Sequence, residues 1–355
     1  MADAPIAVFD GHNDTLLRLV EKVTNDPAAD FLSGDGLGHV DLPRARAGGL
    51  VGGLFACFSP SPPLAASFAT GMTGASYDLP LPASLPMETA RGHVLRMASL
   101  LIRIERASQG AVRICRSGGE VRAAIAEGVF AAVLHIEGAE AIDPEFRMLD
   151  LLHAAGLRSL GPVWSRPTIF ASGVPFRYPS SPDIGAGLTD LGRELLARCN
   201  AMGIMVDLSH LNEAGFWDVA KLSTAPLVAT HSNAHALCPH ARNLTDEQLK
   251  AIGASGGIAG LNFATAFLRP DGQMNTATPI ETMLSHLDHM VAIAGEDHVG
   301  LGSDFDGAEI PRAIGNAAGL PALVDAMRRH GYGEALIAKI CHGNWLRVLE
   351  TTLGP

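Results

Sequence analysis

The residues best suited to chemistry stand where apolar runs of the sequence end. Near the N-terminus the segment Asp10-Gly11-His12-Asn13-Asp14 follows such a run, and Gly302-Ser303-Asp304-Phe305-Asp306-Gly307 follows another near the C-terminus. Between them, Glu137, His210 and His231 each end a run of aliphatic or β-branched residues of about strand length. Histidines and carboxylates at the ends of several strands indicate a metal site spread around one rim of a barrel.

The pair His12 and Asp14 is the first candidate for metal binding. Two residues apart on an extended strand end, their side chains project to the same side and can bind one ion. Alone the pair is weak evidence, because Asp14 capping a turn would explain it as well. Glu137 ends the apolar run 131–136, where a carboxylate must be paired, hydrogen-bonded or metal-bound. A salt bridge to an arginine of the barrel is the alternative.

The interpretation of His210 and His231 depends on the presence of Glu137. Either histidine alone would be interpreted as a hydrogen-bonded core residue. Together the five residues can bind two metal ions, with His12, Asp14 and Glu137 on one ion and His210, His231 and the same Glu137 on the other. A bridging carboxylate and a bridging water would hold the two metals roughly 3.5–4 Å apart, as two-metal hydrolases require.

Asp304 ends the last apolar run and has no obvious partner in the sequence. In a two-metal site, a carboxylate opposite the bridging water can take its proton and return it to the leaving amine. We therefore predict that Asp304 is catalytic and that Asp306 only anchors its loop. A surface or packing role is expected for His39, His93, His153, His286, His289, His298, His330 and His342.

The elements that must position these residues alternate between strand and helix patterns, which is typical of a parallel α/β fold. Eight strands are predicted at residues 6–10, 52–58, 130–137, 158–164, 204–210, 227–231, 257–263 and 298–304. Helices are predicted at residues 88–107, 118–127, 189–202, 212–222, 245–255 and 279–294, and one long amphipathic helix at 333–351.

Composition favours one large domain over residues 1–355. Hydrophobic residues make up 47% of the chain and charged residues 18%, which is enough to bury a sizeable core. The length would allow two average domains, but (β/α) barrels commonly reach it as one piece. Loops 59–86 and 166–187 are rich in Pro, Gly and Ser and directly follow strands. They are expected to act as lids or substrate walls.

Charge and cysteine usage limit the partners and the compartment. A formal net charge of −11 argues against nucleic acid or an anionic membrane as a partner, and no apolar run reaches the roughly 18 to 20 residues of a membrane span. The five cysteines form no Cys-x-x-Cys pair, and the apolar run 6–9 is too short for a signal peptide. We expect a cytoplasmic protein, and the sequence leaves a homodimer open.

Five segments together resemble the membrane (renal) dipeptidase family, the M19 metallopeptidases with amidohydrolase-like barrels. They are Asp10-Gly11-His12-Asn13-Asp14, Ile136-Glu137-Gly138, Asp207-Leu208-Ser209-His210, Thr230-His231-Ser232-Asn233 and Gly302-Ser303-Asp304-Phe305-Asp306-Gly307. The resemblance covers nearly the whole chain and implies a (β/α)₈ TIM-type barrel, two zinc ions and dipeptide hydrolysis, including dipeptides that end in a D residue. It also implies that Arg242 binds a substrate carboxylate, a loop salt bridge being the alternative.

The sequence departs from this family at the end of the fourth strand. There the renal enzyme has a histidine, within Leu-Thr-His, that is thought to polarise the scissile carbonyl, and here Trp164 stands at that place. Either Trp164 shapes the substrate pocket while a metal polarises the carbonyl alone, or another donor such as Arg166 or His235 does so. Ala264 replaces an aromatic residue after the seventh strand, which indicates a different side-chain pocket.

These residues predict a zinc-dependent dipeptidase in which a metal-bridging hydroxide attacks L-Xaa-L-Xaa or L-Xaa-D-Xaa dipeptides. One alternative is an amidohydrolase that uses the same dinuclear site on N-acyl amino acids or lactams. A second is a non-catalytic metal-binding protein, which would be expected to have lost a ligand or Asp304; neither is lost.

Overall fold

The computed structural model describes residues 5–61 and 71–355, and parallel strands form its centre. The strands are β1 (Val8–Asn13), β2 (Leu50–Phe58), β3 (Tyr77–Asp78), β4 (Val112–Ile114), β5 (Phe130–Glu137), β6 (Leu157–Gly161), β7 (Arg177–Tyr178), β8 (Met205–Val206), β9 (Val228–Ala229), β10 (Ile258–Leu261) and β11 (Val299–Leu301). Eight of them pair in the order β8-β6-β5-β2-β1-β11-β10-β9, and β4 pairs with the first part of β5.

One parallel bridge between Asp207 and Val228 joins the ring at its last seam. Asp207 directly follows β8, and Val228 is the first residue of β9. The Leu208 N–H donates to the Val228 carbonyl there at 2.8 Å. Each of the eight predicted strands corresponds to one strand of this ring. The predicted α/β class and the (β/α)₈ TIM-type barrel are therefore confirmed.

Helices fill the connections around the ring. They are α1 (Thr15–Glu21), α2 (Pro27–Ser33), α3 (Leu42–Gly48), α4 (Met87–Ala107), α5 (Gly118–Ala126), α6 (Arg147–Ala155), α7 (Asp190–Met202), α8 (Glu213–Leu222), α9 (Asp246–Ala254), α10 (Thr265–Leu268), α11 (Ile280–Ala294), α12 (Leu320–His330), α13 (Glu334–Ala338) and α14 (Asn344–Leu353). Six of the seven predicted helices appear with ends shifted by at most one residue. Three predicted starts, Thr189, Asn212 and Thr245, are N-caps whose side chains accept backbone N–H bonds.

The prediction of one continuous helix at 333–351 was wrong, because a π-helical turn at Lys339–Gly343 separates α13 from α14. Such a turn inserts an extra residue and shifts the helix face. After the turn, Asn344 Nδ2 donates to the carbonyls of Glu296 and Val299, both at 2.8 Å, and Trp345 Nε1 donates to the Leu301 carbonyl at 2.9 Å. The shifted register therefore ties α14 to β11.

Trp345 fills the inside of the barrel below the polar strand ends. Its ring is fully buried beside Phe9, Leu54, Met205 and other apolar side chains. Two glycines make room for it, since a Cβ on Gly11 or Gly300 would come within 2.2 or 2.6 Å of the indole. The floor of the barrel below the strand ends is therefore apolar.

The two predicted rim loops meet in a small antiparallel ribbon. Strands β3 and β7 pair Tyr77 with Tyr178 and Asp78 with Arg177. Both tyrosine hydroxyls donate to carbonyls of a third rim segment, residues 269–279, at Gly272 and Pro270 respectively. Residues 62–70 of the first predicted loop lie outside the described residues. In the described ranges, no helix has the length and apolar character needed to cross a membrane.

Candidate active site

The five predicted ligands converge at the carboxyl ends of four barrel strands. His12 lies in β1, Asp14 directly follows it, and Glu137 is the last residue of β5. The Nε2 atoms of the three histidines surround Glu137 Oε1, at 3.7 Å for His12, 3.0 Å for His210 and 3.4 Å for His231. His12 Nε2 is also 3.5 Å from Asp14 Oδ2. All five side chains are buried.

His210 and His231 lie just past β8 and β9, so the strands predicted at 204–210 and 227–231 end earlier than expected. The strand predicted at 298–304 is short in the same way. His210 and Asp304 have φ of +67° and +57°, in the left-handed region that non-glycine residues seldom adopt. Such conformations persist only where the surrounding structure maintains them, and they are concentrated at functional sites. The chain turns sharply here and aims each side chain inward.

The donors form two overlapping groups that share Glu137. One comprises His12, Asp14 and Glu137, the other Glu137, His210 and His231, and within each group the candidate ligand atoms lie within 4.8 Å of one another. Asp207 lies close enough to His12 and His231 to form a third group. Its two carboxylate oxygens already accept hydrogen bonds from Ser209 and Thr230, so it is better placed to support the ligands.

Unsatisfied polar atoms at the site fit a bound metal. Within the described residues, His12 Nε2 and Asp14 Oδ1 are buried and have no hydrogen-bond partner. Leaving a buried donor or acceptor unpaired costs about 1–3 kcal/mol, and a cation would satisfy both atoms. Imidazole nitrogen and carboxylate oxygen are ligands that zinc accepts. The donor set therefore fits divalent metal.

Electrostatics points the same way. Burial opposes protonation of His12, but the Glu137 and Asp14 carboxylates outweigh it and raise the pKa of His12 to about 10. Burial lowers the pKa of His210 and of His231 well below the usual histidine value. The cluster thus attracts positive charge at one end and holds neutral imidazoles, the form that binds metal, at the other.

Buried hydrogen bonds hold the strand ends in place, and sequence reasoning missed them. Asp10 accepts from the Ser303 backbone N–H at 2.7 Å and from its hydroxyl at 2.8 Å, which joins the ends of β1 and β11. Burial raises the pKa of Asp10 to about 6. Asp207 joins β8 and β9 similarly. The available signal was a carboxylate two residues before His12, at the end of an apolar run, and another three before His210, inside one.

Asp304 lies half-buried at the edge of the candidate metal centre. Its Oδ2 accepts a hydrogen bond from Asn262 Nδ2 at 3.0 Å, and its backbone N–H donates to the His12 carbonyl at 3.0 Å. Burial raises the pKa of Asp304. Asn262, which follows β10, was not singled out in the sequence. Its own Oδ1 accepts from the Ala264 N–H, so its amide group must present hydrogen to Asp304.

Asp306 anchors its loop, as predicted. Its Oδ2 accepts from the Thr15 hydroxyl at 3.0 Å and lies 3.3 Å from Arg18 Nε. Its Oδ1 accepts from the His39 backbone N–H. These contacts connect the loop after β11 to α1.

A cavity of about 210 Å³ opens onto Asp14, Glu137, His210 and Asp304. The rest of its wall is mostly apolar and comes from the rim, including Phe58, Met72, Trp164, Phe176, Ala264, Phe267 and Met274. Met72 belongs to the first long loop and Phe176 to the second, so both loops contribute to the wall.

Trp164 is a buried part of this wall. Its ring centre lies 5.0 Å from that of Phe58, 5.5 Å from Phe176 and 5.8 Å from His210. The two other candidates for polarising a carbonyl face elsewhere. Arg166 is fully buried against Glu140, Ser59 and Ser61 in the rim. His235 Nε2 lies 2.9 Å from the Ser180 carbonyl, and neither residue lines the cavity.

Arg242 is buried beside the site and is not among the side chains that line the cavity. One terminal nitrogen donates to Ser232 Oγ at 3.1 Å and the other to the His231 carbonyl at 3.0 Å. Its Nε has no hydrogen-bond partner in the described part of the chain. Burial lowers the pKa of Arg242 to about 10, so the guanidinium remains charged at neutral pH.

Comparison with known proteins assigns the chain to a family. The model of the membrane dipeptidase family, peptidase family M19, matches residues 3–353. The chain belongs to peptidase family M19. As the sequence predicted, it is a metal-dependent dipeptidase, a hydrolase that acts on peptide bonds.

Solved M19 structures have the same fold. A metallopeptidase from Rhodobacter sphaeroides, liganded with a phosphinate mimic of the dipeptide L-Ala-D-Ala, is 55% identical with a TM-score of 0.96, over 98% of this chain and 99% of that one. A second M19 structure, described as dipeptidase AC, is also 55% identical with a TM-score of 0.96, over 99% of both chains.

A curated relative from Klebsiella pneumoniae, described as an uncharacterised protein in the pqqA 5′ region, is 50% identical over 243 residues. The aligned part makes up 68% of this chain and 90% of the Klebsiella protein. The M19 assignment thus rests on the family model and the solved structures. The Klebsiella protein is similar in sequence, but its description names no activity.

Proposed function

We propose that this M19 dipeptidase binds two zinc ions, one through His12, Asp14 and Glu137 and the other through Glu137, His210 and His231. The observation that carries the proposal is the convergence of three histidine Nε2 atoms within 3.0–3.7 Å of one Glu137 oxygen. A carboxylate shared by two donor groups suits two ions a few ångströms apart.

When bound, the two ions would lower the pKa of a water molecule and polarise the scissile carbonyl. Asp304 then takes the proton of the attacking water and delivers it to the departing amine nitrogen, so one proton is moved for each C–N bond broken. Asn262 occupies Asp304 Oδ2, which leaves Oδ1 to carry the proton. The apolar wall around Trp164 excludes bulk water from the reacting atoms.

We propose dipeptides as the substrates, with either an L or a D residue at the C-terminal position. The 55%-identical Rhodobacter sphaeroides structure holds a mimic of L-Ala-D-Ala, and the cavity of about 210 Å³ suits a small molecule. Arg242 binds the free C-terminal carboxylate through N–H groups that its two protein contacts leave free. The wall formed by Phe58, Trp164 and Phe176 contacts a substrate side chain.

The first prediction tests metal and substrate together. The purified protein should hold about two zinc ions per chain by elemental analysis, and it should hydrolyse unblocked dipeptides in preference to N-acetyl amino acids or lactams. Absence of bound metal, with no activity restored by added zinc, would contradict the metal assignment. Faster turnover of N-acyl amino acids than of every dipeptide tested would favour the amidohydrolase alternative instead.

Arg242 provides a second prediction about the same substrate. Arg242→Ala should raise KM for dipeptides far more than for the corresponding dipeptide amides, because only the free dipeptides offer a carboxylate to the guanidinium. The control is Arg193→Ala, which removes an arginine from the exposed face of α7, away from the cavity. Equal losses on free and amidated substrates would show that Arg242 has a structural role only.

We further propose a cytoplasmic location. All five cysteines are buried and free of disulfides, and unpaired thiols are typical of proteins in a reducing compartment. Cell fractionation that recovers the native protein outside the cytoplasm would contradict this assignment.

A further inference from the structure

His231 differs from His210 in the group that contacts its Nδ1 atom. His231 Nδ1 lies 2.8 Å from Thr230 Oγ1, and Thr230 Oγ1 lies 2.6 Å from Asp207 Oδ2. His210 Nδ1 also meets a hydroxyl, that of Ser165, at 2.8 Å. Within the described ranges, however, Ser165 Oγ makes no hydrogen bond with a carboxylate. A charged group therefore supports one of the two imidazoles and not the other.

The proton positions behind His231 follow from the inventory of donors. An ionised carboxylate can only accept, so the single hydroxyl hydrogen of Thr230 points to Asp207 Oδ2. A second neighbour, Ser209 Oγ, is 3.5 Å from Thr230 Oγ1 and competes poorly with a carboxylate at 2.6 Å. The Thr230 oxygen then has only lone pairs to offer to the ring. His231 Nδ1 must donate its hydrogen to Thr230.

This assignment leaves the lone pair of His231 on Nε2. That atom lies 3.4 Å from Glu137 Oε1 and 3.2 Å from His210 Nε2, inside the candidate metal centre. A metal requires this lone pair, and the hydrogen bond at the other ring nitrogen decides where it resides. The Asp207 and Thr230 side chains therefore preset His231 in its metal-binding tautomer.

Asp207 is fixed firmly enough to serve this purpose. It is 1% exposed, and its Oδ1 accepts from the backbone N–H groups of Ser209 at 3.0 Å and Thr230 at 2.8 Å. These two residues immediately precede His210 and His231. The carboxylate also lies at the seam where Asp207 bridges to Val228 between β8 and β9. It cannot rotate away without loosening both strand ends.

We propose that Thr230, supported by Asp207, is a positioning residue that sets the affinity of one of the two metal ions. The proposal rests on the two-zinc centre proposed above and adds an asymmetry to it. The ion bound by Glu137, His210 and His231 depends on the Thr230 hydroxyl. The ion bound by His12 and Asp14 does not, because in the described structure His12 Nδ1 has no hydrogen-bond partner to lose.

The test compares three variants by equilibrium competition for zinc against a chromophoric chelator. Thr230→Val keeps the shape and removes the hydroxyl, and it should weaken one zinc ion per chain by about 10–100-fold, the usual cost of losing a partner behind a metal ligand. Thr230→Ser retains the hydroxyl and should remain within about threefold of the parent protein. Ser165→Ala removes a hydroxyl without a carboxylate behind it and should cost less than Thr230→Val.

Several outcomes would overturn the inference. The first is parent-like binding of both ions by Thr230→Val. The second is a loss of zinc affinity in Thr230→Ser, or in Ser165→Ala, as large as that in Thr230→Val. Should Thr230→Val fail to fold, ¹⁵N NMR of the metal-free parent protein decides, because a His231 ring protonated on Nε2 alone would contradict the proposed tautomer. A parent protein that binds fewer than two ions would instead sink the two-zinc function itself.

Discussion

At the scale of single residues, Asp304 lines the cavity with one carboxylate oxygen already hydrogen-bonded. Asn262 donates to Oδ2 at 3.0 Å, and Asp304→Asn would keep the shape while removing the ability to accept a proton. We expect kcat to fall by roughly 10²–10⁴, the usual contribution of general acid–base catalysis, with zinc content unchanged. The control is Glu309→Gln, since Glu309 is another carboxylate at the cavity. Loss of zinc from Asp304→Asn would make Asp304 a metal ligand instead.

Trp164 is the residue where family resemblance and physical chemistry give different expectations. An indole N–H is neutral and a weak electrophile beside a zinc ion, whereas the ring packs against Phe58 and Phe176 as a wall would. Trp164→Phe should therefore keep kcat within about tenfold, roughly 1.4 kcal/mol in barrier, and mainly change which C-terminal residue is preferred. The matched control is Trp217→Phe on the partly exposed face of α8. A thousandfold fall in kcat with both zinc ions retained would make the indole N–H catalytic.

At the scale of elements, the sequence predicted what depends on local periodicity and capping. The strands and six helices were found because apolar runs end in turn residues and because Thr189, Asn212 and Thr245 are recognisable N-caps. Six helices were not predicted, namely α1, α2, α3, α6, α10 and α12. Five of them have nine residues or fewer, which gives little periodic signal, so tertiary packing decides such elements.

The sequence predicted which side chains converge at the candidate site, but not the residues that support them. His12, Glu137 and His231 were singled out because a polar residue after a buried run needs a partner. Asp10 and its partner Ser303 are 293 residues apart in sequence, so no local pattern connects them. The π-helical turn at Lys339–Gly343 was missed for the same reason, since contacts of α14 with β11 make it favourable.

At the scale of the whole molecule, metal and stability should be linked. We propose that the chain is one domain, because barrel strands run from residue 8 to residue 301 and α14 returns to pack beneath them. A ligand that binds only the folded protein stabilises it by about 4 kcal/mol when its free concentration is 1,000 times Kd. Chelation should therefore lower Tm within a single unfolding transition, and calorimetry can measure this.

Restoring zinc provides the control for that experiment. Added zinc should return Tm to its original value, because the ion would bind the buried carboxylates of Asp14 and Glu137 only in the folded protein. An unchanged Tm after complete metal removal would show that the strand ends hold together without cations. Two separate transitions would argue against one domain.

The ribbon of β3 and β7 restricts how this barrel could be redesigned. Each of its two strands belongs to a different rim loop, and the hydroxyls of Tyr77 and Tyr178 fasten both to carbonyls of residues 269–279. A graft of one of these loops from another M19 enzyme would leave the other strand unpaired and a carbonyl of residues 269–279 without its tyrosine donor. Exchange of substrate preference between relatives therefore requires the three segments to be transplanted together.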